Sequence, residues 1–357
     1  MQKIKHKLLR HELADAITAD LRKGVWKTKL PGLRLLAERY GVSKRTCSEA
    51  LKLVEREGFL DPASARSKRG IRLDHVATTH QADIGQLLVI SDLREKCSNN
   101  HEKVLTQAGR FWAELGGTVR HVRVDYTRSR SPSKLVKDWF EGETVDCAYM
   151  IAGPRKWVRA IDQVGIPVFL HGGHKTETKN CSLAGYGLDG ALDRILGFVT
   201  SLGHRRILLS WQRAYDGHRM CVDAFAKGIP GVTKEQAEAM VPVVDLLCAE
   251  DYARFWSGAL ASLEPTCVLL HNSLEAISLV SFCAGKGIRI PRDLSAFVID
   301  GSELMEWFTP QLAHLNFDND SEIKLFKRWV NSGFPAGIRY DTGFKLVPGA
   351  SVAKLED

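Results

Sequence analysis

From Ile84 onward the chain alternates short apolar runs with amphipathic stretches, and that alternation admits few folds. Apolar runs fall at 85–91, 118–124, 145–152 and 166–172, with helical spacing between them at 102–115, 134–141 and 155–164. A second set follows, with a helix at 188–202 and apolar runs at 205–211, 241–247, 266–272 and 294–300. Helical stretches at 217–227, 251–262 and 273–285 separate those runs. Short continuous apolar runs bounded by turns suit strands buried on both faces, and strands alternating with helices build parallel sheets. Two such blocks predict a two-lobed α/β domain, with a cleft lined by the carboxyl ends of the strands.

The first fifth of the chain has a different texture. Residues 1–75 hold nine Lys and nine Arg against nine Asp plus Glu, a surplus of nine positive charges. The whole chain has a net charge of +8, so the remainder is slightly acidic. A compact basic segment joined to a neutral one points to a polyanionic partner, although basic segments in general are often only solvated faces. Within it, residues 6–22 carry a helical stripe that Gly24 closes. Leu33, Leu36, Ala37 and Tyr40 form the inner face of a short second helix, and Gly41 suits the corner. Ser43 is placed to cap a third helix, whose inner face is Cys47, Ala50, Leu51 and Val54. Lys44, Arg45, Thr46, Ser48 and Lys52 are then left outside. After Gly58, Phe59–Leu60 and Arg69–Leu73 are predicted strands around a turn at 61–68, a hairpin studded with Arg66, Lys68, Arg69 and Arg72. The pattern is a helix-turn-helix followed by a basic wing, with an ordinary αα-hairpin as the alternative.

This region, roughly residues 6–73, resembles the GntR family of winged-helix transcription regulators. Leu30-Pro31, Arg34, Leu36-Ala37-Glu38, Gly41-Val42-Ser43, Thr46, Glu49-Ala50-Leu51 and Glu57-Gly58 carry the resemblance. It implies that Arg34 and the residues opening the third helix contact double-stranded operator DNA, and that Gly70 lets the wing approach the DNA backbone. Two positions depart from the family: Gly32 replaces the usual Ser/Asp cap, and Ser48 stands where an arginine is usual.

Residues 84–352 resemble the effector domain of the LacI/GalR regulators, which have the fold of periplasmic sugar-binding proteins. Leu202-Gly203-His204-Arg205-Arg206-Ile207, Pro265-Thr266, Gly287, Pro291-Arg292-Asp293-Leu294-Ser295 and Val298-Ile299-Asp300 carry it, with a weaker match at Pro310–Leu315 and a final strand in 344–352. The resemblance implies that Arg219, Asn272 and Asp300 hold sugar hydroxyls. Ser273 departs from the aspartate that usually follows the asparagine. Asp92 and His171 end predicted strands and face the cleft by position, as does Ser91. Trp211 ends another, where its ring either stacks on a sugar or packs in the core. Asp300 and Arg219 have plainer alternatives, a strand-end turn and a surface ion pair. His171 and His174 flank two glycines, but two histidines three apart with no neighbouring carboxylate make a poor metal site.

The expected architecture is therefore α/β: a winged helix-turn-helix over residues 1–73, a linker at 74–83, and a two-lobed periplasmic-binding-protein-like domain with parallel sheets over 84–357. The expected protein is a dimeric, ligand-responsive transcription regulator, a repressor by resemblance, with no cofactor. Its eight scattered cysteines form no CxxC, and no apolar run reaches the ~18 residues of a membrane span, so the expected location is the cytoplasm. An enzyme is a weaker alternative because no GxSxG, P-loop or HExxH occurs. An architectural DNA-binding protein would leave the second domain without a task.

Overall fold

The computed structural model describes residues 2–355 except 23–24, 27, 62–68, 73–83, 94–98, 127–130, 174–177 and 186. The expected linker at 74–83, the wing residues Arg66 and Lys68, and His174 lie outside the described residues.

Helices α1 (Gln2–Arg22), α2 (Leu33–Arg39) and α3 (Lys44–Arg56) close on a core that includes Ile17, Leu36, Cys47, Leu51 and Val54. Gly41 turns the corner at φ +63°, a conformation that costs glycine least. Ser43 caps α3 by accepting a hydrogen bond from the Thr46 N–H at 3.1 Å. Thr46 itself corrects the sequence expectation: it is only 2% exposed, and its hydroxyl lies 2.8 Å from that of Ser43. The capping turn brings the third residue after the cap back against it, so Thr46 serves the cap and not the outer face.

Two short extended segments follow α3, and a third lies between α1 and α2. Leu60 pairs with Ile71 and Lys29 with Gly70, both antiparallel. The segment at 28–30 was not foreseen, because two residues of pairing leave no periodicity to read. Arg69, expected among the basic residues of the hairpin, also has a partner within the fold. Its half-buried guanidinium is ion-paired with Glu55 of α3, so it ties this small sheet to the third helix. At Gly70 an added Cβ would meet the carboxylate of the exposed Asp61 side chain, which can swing aside.

The remaining chain forms two lobes. The first sheet is wholly parallel, in the order β12-β5-β4-β3-β1-β2. Its strands are β1 (Gln86–Asp92), β2 (Thr118–Val124), β3 (Val145–Ile151), β4 (Val168–His171), β5 (Cys181–Gly185) and β12 (Arg339–Asp341). Helices α4 (Asn99–Glu114), α5 (Pro132–Phe140) and α6 (Arg155–Asp162) connect its first four strands. The second sheet runs β13-β11-β10-β9-β6, with only β13 antiparallel. It comprises β6 (Ile207–Leu209), β9 (Cys267–Leu270), β10 (Ser295–Gly301), β11 (Ala313–Phe317) and β13 (Phe344–Val347). Helices α7 (Leu188–Ser201), α8 (His218–Gly228), α9 (Lys234–Met240), α10 (Ala249–Leu263) and α11 (Ser273–Lys286) accompany it.

The expected strand at 241–247 shrinks to β8 (Val243–Val244), which pairs with β7 (Trp211–Gln212) in a separate two-stranded ribbon. The sequence reading also missed that the chain returns to the first lobe. Helix α12 (Asn319–Asn331) buries Ile323, Phe326 and Trp329 against Tyr149 and Phe169 of the first sheet, and β12 then joins that sheet's edge. Among the described residues, no helix is long and apolar enough to cross a membrane.

Candidate functional site

A cavity of about 920 Å³ lies between the lobes at the carboxyl ends of β1, β4, β9 and β10. Asp92, His171, Trp211, Asn272 and Asp300, all proposed from sequence, line it. Asp92 ends β1 and accepts a 2.7 Å hydrogen bond from the Tyr215 hydroxyl of the opposite lobe. Asp300, in β10, has a carboxylate oxygen 3.6 Å from His101 Nε2 of α4, again across the cleft. Asp216 accepts the backbone N–H of Arg155 at 2.6 Å. The lobes thus meet over the cavity through polar contacts from both sides.

His171 sits deeper. Its Nε2 is 3.0 Å from a Glu322 carboxylate oxygen of α12, and its Nδ1 is 2.8 Å from the Tyr149 hydroxyl. Burial, with Glu322 nearby, pushes the Tyr149 hydroxyl well above its usual range and keeps it a donor. Gly172 and Gly173 both take positive φ, +67° and +88°, in the turn after β4. The two glycines beside His171 are therefore explained by backbone conformation.

Trp211 is 4% exposed, donates its indole N–H to the Tyr215 carbonyl at 3.1 Å, and packs edge-on against His271. It packs in the core of the second lobe and forms part of the cavity wall. Asn272 caps α11, accepting from the Leu274 and Glu275 N–H groups at 3.0 and 3.1 Å. Its oxygen is committed to the helix.

Three sequence candidates fall outside the cavity lining. Arg219 is exposed on α8, Ser273 is buried in the first turn of α11, and Ser91 is buried in β1. Arg219 and Ser273 were assigned from resemblance, and neither helix places its side chain toward the cleft. The sequence reading missed Tyr215, Tyr252, Glu275, His101 and Glu322, all of which line the cavity. Glu275 is 1% exposed and accepts the His271 N–H at 2.8 Å. A glutamate on the apolar face of α11 was a readable signal, whereas Glu322 sits on a helix with no expected link to the cleft.

On the first domain, Lys44 and Arg45 are exposed at the start of α3, and Ser48 is half-buried one turn on. The Arg45 side chain is 89% exposed and that of Arg34 is 77%, and they are ion-paired along their own helices with Glu49 and Glu38. The opposite end of α3 is held by the second domain. Arg328 of α12, 5% exposed, is ion-paired with Glu57 at the end of α3. It also reaches Asp15 at 3.7 Å and donates to His11 Nδ1 at 2.7 Å, both in α1. Burial pushes the Asp15 carboxyl up to about 6, against the opposing pull of Arg328.

A family profile described as a periplasmic binding protein-like domain matches residues 196–330. The HTH-type transcriptional repressor PurR of Vibrio cholerae serotype O1 (strain M66-2) is 31% identical over 122 residues, 32% of this chain and 34% of the repressor. The match thus spans about a third of the length of that curated relative. Among solved structures, a transcription regulator-like protein from Staphylococcus haemolyticus superposes with a TM-score of 0.62 at 13% identity, over 77% of this chain and all of that one. The transcriptional regulator CelR in complex with cellobiose gives 0.61 at 15% identity, over 90% and 100%. A LacI family regulator, CCPA of Weissella paramesenteroides with bound sucrose, gives 0.60 at 14%, over 76% and 100%. At these identities the structures establish the fold: the two lobes of this chain form a periplasmic-binding-protein-like domain of the kind found in LacI-family regulators.

Proposed function

We propose that the chain is a ligand-responsive transcription regulator, a repressor, whose first domain binds operator DNA and whose second domain binds a sugar or sugar derivative. The observation that carries it is α12. Its N-terminal turn brings Glu322 to the cavity, and two turns further on Arg328 grips both α1 and α3. One rigid element thus touches the ligand site and the recognition helix. A ligand that moves α12 toward one arrangement biases the other end, by as much as its affinities for the two states differ.

The three helices with their short antiparallel segments support a winged helix of the GntR type. Lys44 and Arg45 then enter the major groove, while Arg34 and Arg72 face phosphates. One such domain offers a small footprint, so the working form is a homodimer on a near-palindromic site with half-sites about 34–36 Å apart or a multiple of that. A cytoplasmic location suits DNA binding. The neutral, ligand-bearing complexes of the structural relatives favour a sugar-sized effector, and the aromatic walls of the cavity suit its apolar faces.

The test combines selection of bound DNA from a random library with a gel shift of the selected sequence, with and without mono- and disaccharides. A selected palindrome whose affinity changes on addition of one compound is the expected outcome. Failure to select any sequence would remove the DNA-binding assignment.

A further inference from the structure

The cavity changes character from one part to another. At the strand ends it is polar, and from there it continues along two helices of the second lobe. Ala249, Tyr252 and Ala253 of α10 line it at i, i+3 and i+4, and Leu274, Ile277 and Ser281 of α11 line it at i, i+3 and i+7. Each set shares one helical face. The core of the lobe takes a different stripe of α11, namely Ala276, Leu279 and Cys283. Leu274 and Ile277 are therefore apolar residues that the core does not use. The alanines and the serine among them are short, which leaves a trough between the helices.

Twelve large apolar side chains are exposed among the described residues, and four of them line this one cavity. They are Leu93, Leu247, Leu274 and Ile277, each between 37% and 43% exposed. Such residues scattered singly need no explanation, but a third of them gathered on one concave surface do. Leu93 follows β1 in the first lobe, so both lobes contribute. The wall is also held in place. The Asp251 carboxylate accepts the Leu247 N–H at 3.0 Å and the Cys248 N–H at 3.2 Å, which fixes the turn that carries Leu247. The volume of about 920 Å³ is near the top of the ~300–1,000 Å³ that encloses a drug-sized ligand, so a single hexose leaves much of it unfilled.

We propose that the effector is amphipathic: a sugar head in the cleft between the lobes, carrying a slender apolar substituent that lies in the α10–α11 trough against Leu247, Leu274 and Ile277. This rests on the regulator reading above and narrows its ligand from free sugars to glycosides with an apolar aglycone. The head makes hydrogen bonds that fix orientation, and the substituent removes water from apolar surface that a free sugar leaves wet. Each methylene buried there tightens binding about fourfold.

The full chain is titrated calorimetrically with methyl and hexyl glycosides of glucose, galactose and mannose. In at least one pair the hexyl compound binds about thirtyfold or more tightly than the methyl compound, the effect of two to three buried methylenes. Leu247→Asp and, on α11, Ile277→Asp each bring that ratio close to one; both side chains are exposed, so the fold tolerates the change. A wild-type ratio near one in all three pairs overturns the proposal, as does the absence of binding by every hexyl glycoside. A ratio that neither substitution changes, together with a shift from dimer to monomer in sedimentation, gives the wall to a second copy of the chain and overturns it too. A gel shift separates the two readings. A methyl glycoside that equals its hexyl partner and alters DNA affinity removes the apolar substituent and keeps the regulator, whereas a preferred hexyl glycoside without effect on DNA keeps the trough and removes the regulator.

Discussion

Arg45 and Arg34 are the clearest residue-scale candidates for DNA contact, because their side chains are 89% and 77% exposed and each is ion-paired with a glutamate of its own helix. Their i,i+4 partners are exposed glutamates, and such pairs contribute only about 0.3–0.5 kcal/mol. Replacing either by alanine is therefore expected to leave thermal stability within about 0.5 kcal/mol of wild type while weakening operator binding. Circular dichroism melts and gel shifts on the two variants check this, and unchanged DNA affinity in both would remove α3 from the interface. Asp15 behaves differently. Its carboxyl is pushed up to about 6 in the folded chain from an ordinary 3.8, so the folded state holds its proton more tightly than the unfolded one. The stability it contributes is complete below about pH 4 and disappears as pH rises through 6. Wild type should lose stability relative to Asp15→Asn over that window, measured by urea unfolding at a series of pH values. Parallel curves for the two proteins would show that burial does not govern this carboxyl.

At the scale of elements, the short extended segment at Arg69–Ile71 is fastened to α3. Arg69 and Glu55 are both largely buried side chains, 20% and 17% exposed, which gives their pairing more weight than a surface bridge. A double-mutant cycle on Arg69→Ala and Glu55→Ala should return a coupling energy on the order of 1 kcal/mol in the stability of the first domain. Additive losses would mean that Arg69 acts through DNA alone. The helices of this domain were readable because their signals are local: a serine cap, a corner glycine and inner residues at i, i+3, i+4 and i+7. Thr46 was misread because the cap that placed it also buried it. Strand β8 was misread because an apolar run of seven residues carries no record of its neighbours, and only β7 lies beside it.

The whole molecule adds what neither scale holds. Glu322 faces the cavity, and Arg328 on the same helix meets His11, Asp15 and Glu57. Removing one partner of a buried ion pair leaves the other charge uncompensated, at a cost of about 3–5 kcal/mol. Glu57→Gln keeps the shape and a hydrogen-bonding oxygen, so it is the milder probe; Arg328→Met is the harsher one. Both variants are expected to bind effector with affinity near wild type, because neither residue lines the cavity, yet the effect of the ligand on DNA affinity should shrink severalfold. Calorimetry and gel shifts with the ligand found in the screens measure the two quantities separately. Full coupling in Glu57→Gln and Arg328→Met alike would place the route elsewhere.

The sequence by itself determined the order and kind of most elements, the division into a basic domain and a two-lobed α/β domain, and five of the eight cavity residues it proposed. Those features depend on periodicity and on the fact that parallel strands end at one edge, which a linear reading can follow. Only the tertiary structure decided that α12 returns to the first lobe, that Arg219 turns outward, and that Tyr215 and His101 reach across to Asp92 and Asp300. Each of these joins residues 100 or more positions apart or turns on which face of a helix meets a neighbour. Such facts are settled by how whole elements pack and not by the pattern within any one of them.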